Sequence, residues 1–133
     1  MARMARLHRV AGFLFAVVFA LTGVFMRVTF PAAYGGDAGV RMMYRASHLY
    51  ILLAALMNLL VGLYLPAEAA AGRGRLRAVG SFFLIAAPGL FTLAFFLESA
   101  PDKFARRFTF AALLLAVLGT GLHLLAAWRR AEK

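Results

Sequence analysis

The chain has no cysteine in its 133 residues, which removes disulfide staples, thiolate metal centres, iron–sulfur clusters and cysteine nucleophiles. Acid is scarce as well: five Asp and Glu stand against 15 Lys and Arg, a formal net charge of +10. No paired acidic cluster suited to Mg²⁺ is present, and no nucleophile and base stand at a recognisable spacing. The segment Gly72-Arg73-Gly74 lacks the strand and helix that a phosphate-binding loop needs on either side. Segments of about ten residues with alternating polarity, the mark of a membrane barrel, are missing too.

Apolar residues fill the space these absences leave. They make up 64% of the chain, against about 45–50% in a soluble domain, and the mean hydropathy is +0.83. A net charge of +10 on a soluble chain would suggest nucleic-acid binding. On a chain this apolar it suggests membrane anchoring instead, and no nucleic-acid partner is expected.

Charged flanks mark off four apolar runs, at about residues 10–30, 46–65, 79–97 and 108–128. Each is long enough to cross about 30 Å of hydrocarbon at 1.5 Å per helical residue. A lone helix satisfies its own backbone in lipid, so the runs are read as helices. Arg3, Arg6 and Arg9 precede the first run as the basic region of a signal peptide would. Its apolar stretch exceeds the 7–15 residues of such a peptide and no small-x-small site follows, so it is read as the first membrane helix. The connections, among them the turn-rich Pro31–Gly39 segment, are too short to hold a domain. The fold class expected is an all-α membrane protein: one domain over residues 1–133, with four transmembrane helices in an up-down antiparallel bundle.

With both termini on one side, that side carries nine basic residues: Arg3, Arg6, Arg9, Arg73, Arg75, Arg77, Arg129, Arg130 and Lys133. The other carries six: Arg27, Arg41, Arg45, Lys103, Arg106 and Arg107. The excess makes both termini cytoplasmic. The Ala, Arg, Gly and Leu bias points to a bacterial inner membrane. A chain with so little soluble surface is expected to be a homodimer or a subunit of a larger membrane complex.

Helices associate in lipid through small and polar residues, and each run has such a stripe: Gly12, Ala16, Phe19, Gly23 and Met26 or Arg27; Tyr44, His48, Ile51, Ala55, Asn58 and Gly62; Ala87, Phe91, Ala94 and Glu98; Thr109, Ala112, Ala116, Gly119 or Thr120, and His123. Asn58 at mid-helix is a register-fixing hydrogen-bond donor or the lining of a polar site. His123 lies five residues before Trp128, about 7–8 Å below the interface. His8, between Leu7 and Arg9, is read as interfacial.

The densest constellation falls on the outer side, where Arg27, Arg45, His48, Glu98 and Arg106 are expected to cluster. Glu98 is there the one acid within reach of several arginines. With Asn58, these residues form the candidate polar, anion or lipid site. The leading functional expectation is therefore a non-enzymatic accessory or interaction subunit that holds membrane lipid or an anion. A b-type haem protein is the alternative, and a small anion channel or carrier using Arg27, Asn58 and Glu98 is a further one. No metal site and no cofactor are assigned as the leading expectation. If haem b were held, the ligands would come from His48, Met26, His123 and His8. His48 with Met26 shares a depth on the outer side, whereas His8 and His123, both on the inner side, are read as unequal in depth.

Overall fold

The computed structural model describes residues 2–64, 74–99 and 105–131, and among them there are four helices and no strand. They are α1 (Ala2–Ala33), α2 (Ala38–Tyr64), α3 (Gly74–Leu97) and α4 (Arg107–Ala131). All four are long and apolar enough to cross a membrane, so the chain is a multi-pass helical membrane protein. Pro66, Glu68, Arg73, Pro101, Asp102, Lys103, Glu132 and Lys133 lie outside the described residues, as do the side chains of Arg129 and Arg130.

The helices overrun the apolar runs. Helix α1 starts eight residues before residue 10, and α2 starts at Ala38 rather than near residue 46. Hydropathy stops at the first charge, whereas helical hydrogen bonding continues through the polar interface. Pro31 lies inside the last turn of α1, where the helix is about to end and the lost amide bond matters least. The expected nine-residue loop shrinks to Tyr34–Asp37, because the Asp37 carboxylate accepts the Val40 amide at 2.9 Å and caps α2.

Packing follows the chain: α1 lies on α2, α2 on α3 and α3 on α4, with α1 also touching α3. Helices α1 and α4 share no extensive interface. Contacts run in opposite directions along α1 and α2, as in His8 with Asn58 and Thr22 with His48. We call the end where α1 joins α2 the loop end, and the end carrying the start of α1 and the close of α4 the terminal end.

The two halves of the molecule pack by different means. Toward the terminal end, backbones meet over glycine. A methyl group on Gly62 would lie 2.8 Å from the Arg9 nitrogen, and one on Gly119 2.9 Å from the Gly80 carbonyl, so only glycine allows the approach. Toward the loop end, aromatic rings fill the space between the helices. Tyr44 meets Phe30 at 5.2 Å and Phe95 at 5.1 Å between ring centroids, both edge to face, the arrangement ring quadrupoles favour. Outside both halves, Phe13, Leu21 and Val28 of α1 and Val117 and Leu124 of α4 are exposed, the surface a helical membrane protein offers to lipid.

Candidate functional site

The expected outer cluster separates into three parts. Glu98 is buried, but its carboxylate serves helix α4 rather than the arginines. It accepts the Phe108 amide at 2.5 Å, the Thr109 amide at 3.0 Å and the Thr109 hydroxyl at 2.8 Å. Those amides are among the orphan donors of the first turn of α4, and a negative charge there complements the helix dipole. The acid that the sequence offers as an arginine partner is thus a helix cap carried on the close of α3. Arg106 goes elsewhere as well: its Nη2 donates to the Ser47 hydroxyl at 3.1 Å, with Ser99 Oγ a further 3.4 Å away.

Arg27 and Arg45 do come together, and Arg41 joins them. The three line one open cavity of about 400 Å³ at the loop end, walled by Met26, Phe30, Pro31 and Gly35. None of these lining residues is acidic. The Arg41 guanidinium is tied back to the turn through the carbonyls of Gly35 and Tyr34. That leaves a preformed cationic wall at the mouth of the bundle.

His48 lies deeper and belongs to neither part. Its Nδ1 is 2.9 Å from Thr22 Oγ1, and the ring stacks on Phe19 at 3.9 Å between centroids. The Thr22 hydroxyl has one proton and directs it at the carbonyls of Val18 and Phe19. It therefore accepts from His48 Nδ1–H. Met26 lines the arginine cavity.

At the terminal end each helix contributes one polar side chain to a single layer: His8, Asn58, Ser81 and His123. Asn58 is fully buried. Its Nδ2 donates to the carbonyls of Ala54 at 2.9 Å and Leu84 at 2.7 Å, which uses both amide protons and fixes the orientation of the group. Its Oδ1 must then accept, at 2.7 Å, from His8 Nδ1. This assigns the proton of neutral His8 to Nδ1 and leaves a lone pair on Nε2. That Nε2 is buried and without a partner among the described residues. His123 bonds Ser81 through Nε2 at 3.2 Å.

Two sequence expectations are corrected here. His8 is not interfacial but fully buried, and its ring centroid lies 5.9 Å from that of His123, so the two share a depth. Both errors come from placing the first helix at residue 10, when it begins at Ala2 and carries His8 more than one turn in from its start. Ser47 and Ser81 carry no signal in the sequence, and Arg41 and Arg77 stand there only as charges flanking the apolar runs. Arg77 was counted as an anchor, yet it is buried with an unpartnered Nη1 among the described residues. With Thr120, His123 and Tyr64 it lines a second cavity of about 240 Å³. No group of three or more His, Cys, Asp or Glu forms a metal-binding set among the described residues.

No protein-family model, no curated protein and no solved structure gives a significant match to this chain.

Proposed function

We propose that this protein is a non-enzymatic membrane subunit that holds the phosphate-bearing head group of an anionic lipid in the arginine cavity at its loop end. The observation that carries this reading is the convergence of Arg27, Arg41 and Arg45 on one cavity with no acid in its lining. Guanidinium groups match phosphate oxygens in geometry and stay charged at any physiological pH. The apolar wall of Met26, Phe30 and Pro31 suits the first carbons of an acyl chain. An anion path through Arg27, Asn58 and Glu98 gains no such support. Asn58 and Glu98 each spend three hydrogen bonds on protein groups, in layers more than a helical turn apart.

The reading rests on an up-down antiparallel bundle in a bacterial inner membrane with both termini cytoplasmic, which the excess of basic residues on the terminal side supports. The cavity then faces the outer leaflet. The exposed apolar faces of α1 and α4 leave room for a second copy or a larger membrane complex. Native mass spectrometry with added phosphatidylglycerol or phosphatidylcholine tests the site. Phosphatidylglycerol should be retained and phosphatidylcholine lost. Replacing Arg27, Arg41 and Arg45 by Gln should weaken retention roughly 100-fold, at about 1 kcal/mol per arginine. Equal retention of both lipids, or no change in the triple variant, would refute the assignment.

A further inference from the structure

Arg77 is the fourth residue of α3, a position from which an arginine ordinarily reaches back to the membrane surface. Here it does not. It is only 8% exposed, its Nη1 has no partner among the described residues, and it lies in the wall of the cavity of about 240 Å³ formed by α2, α3 and α4. None of the described residues lining that cavity is acidic. Water filling the space would meet the N–H donors and leave the charge itself uncompensated in low dielectric. Buried charges are stable when paired, so the partner this site lacks is an anion.

We propose that this cavity holds the carboxylate of a single-chain amphiphile, a fatty acid, with its head against Arg77 and its chain running out over Leu124 toward the bilayer centre. One guanidinium offers one charge and a planar fork, which one carboxylate matches with two parallel hydrogen bonds. Tyr64, at the close of α2 and in the same wall, brings a phenol that can donate to that head. Thr120 lies deeper along α4 and cannot. Its hydroxyl spends its one proton on the Ala116 carbonyl at 2.8 Å, so it offers the cavity only lone pairs. An anion therefore stops at the level of Arg77.

The rest of the lining suits the chain. Val61, Leu124 and Ala127 are apolar, and Leu124, 66% exposed, stands at the lipid-facing mouth. Helices α2 and α4 share no extensive interface, which leaves the slot between them open to the bilayer. The cavity has about eight times the 30 Å³ share of one water, room for a carboxylate and its first methylenes. A phosphodiester carries carbon substituents on two of its oxygens and asks for a wider slot. Departure of the head would strand the buried cation, so the ligand leaves slowly and contributes to the stability of this end.

The full chain in detergent, incubated with deuterated oleate or with oleyl alcohol of the same chain length, tests this by native mass spectrometry. Oleate should be retained about tenfold more tightly than the alcohol, the worth of a charge-assisted hydrogen bond. Arg77→Gln should abolish that preference. Leu124→Trp, which narrows the mouth and leaves the cation in place, should lower oleate retention severalfold. Oleate should raise the unfolding midpoint of the wild type and not that of Arg77→Gln. Without ligand this variant, relieved of an unpaired charge, should unfold no earlier than the wild type. Equal retention of acid and alcohol overturns the proposal, as does a preference that survives Arg77→Gln or retention unmoved by Leu124→Trp. Earlier unfolding of ligand-free Arg77→Gln overturns it too, since the guanidinium would then have a protein partner. Displacement of oleate by equimolar phosphatidylglycerol overturns the choice of carboxylate over phosphate. The triple variant of Arg27, Arg41 and Arg45 should keep oleate while losing phosphatidylglycerol, so failure at one end is read apart from failure at the other, and loss of oleate there would move the site to the loop end.

Discussion

The two ends of this molecule handle polarity in opposite ways, and the difference follows from how closely the helices approach. At the terminal end glycines bring backbones together, with a methyl on Gly62 only 2.8 Å from the Arg9 nitrogen. Side chains there are short of space, and the polar ones bond one another across helices, as His8 does with Asn58 and Ser81 with His123. At the loop end the rings of Phe30, Tyr44 and Phe95 set the spacing. The arginines then stand around an open cavity instead of being drawn into the core. Backbone contact over glycine goes with an internal hydrogen-bonded network, and aromatic packing goes with an open mouth. Stability should therefore reside in the first and ligand exchange in the second.

The largest effect is expected at Asn58, the residue through which α1, α2 and α3 are bonded at one point. Asn58→Ala strands His8 Nδ1 and leaves the Leu84 carbonyl without its side-chain donor. Bonds between membrane helices average about 0.6 kcal/mol and reach about 1.7. An unsatisfied buried donor adds about 1–3 kcal/mol, so a loss of about 3 kcal/mol should appear in detergent unfolding titrations. A loss below about 1 kcal/mol would dissolve the contrast between the ends.

A second expected effect isolates the helix spacing itself. Gly62→Ala forces a methyl to within 2.8 Å of Arg9 N and 3.0 Å of Ala5 O, both backbone atoms, and should destabilise by about 2 kcal/mol. Gly23→Ala, on the same pair of helices toward the loop end, meets only the His48 ring, at 3.3 Å. The gain in helix propensity, up to about 1 kcal/mol, should offset that contact and leave the midpoint nearly unchanged. The same unfolding titration measures both variants, and equal losses would show that spacing does not distinguish the halves.

The sequence made the interior stripes legible because small residues recur at helical spacing. Ile51, Ala55, Ala87, Phe91, Ala94 and Ala112 are all buried. It also flagged Asn58 and His123, since polar groups in an apolar run stand out. Partners were the illegible part. Nothing local joins His8 to a residue 50 positions away, and the flanking Arg6 and Arg9 disguise His8 as an interfacial residue. Glu98 was correctly noticed and wrongly paired, because whether an acid meets an arginine or a helix start depends on the direction of the chain after α3. Arg77 looked like any other anchor, since its burial is decided by α4 rather than by its own helix.

Glu98 offers a smaller effect that tests polarity at the loop end. Glu98→Gln keeps the shape but removes the charge and sets an amide donor against one of the α4 donors it now satisfies. Loss of a cap costs about 0.5–2 kcal/mol, so a drop of about 1 kcal/mol is expected. Because those bonds are buried rather than solvent-exposed, the drop should persist in 1 M salt, which shortens the screening length to about 3 Å. A drop that vanishes in salt would return Glu98 to the arginines and reunite the outer cluster.

The smallest effect on stability belongs to Arg45, and there the two ends should differ most clearly in kind. Its side chain is exposed at the rim of the cavity, and surface substitutions of this type usually stay within about 0.5 kcal/mol. Arg45→Gln should accordingly unfold as wild type does. Retention of phosphatidylglycerol should nevertheless fall about fivefold, the share of one arginine near an anionic surface. Raising salt should weaken the wild type more than the variant, since the variant has one cation fewer to screen. Stability loss without loss of retention would mean that Arg45 holds the helix ends together. The mouth would then be built in the same way as the network at the other end, and the distinction between a structural end and a binding end would fail.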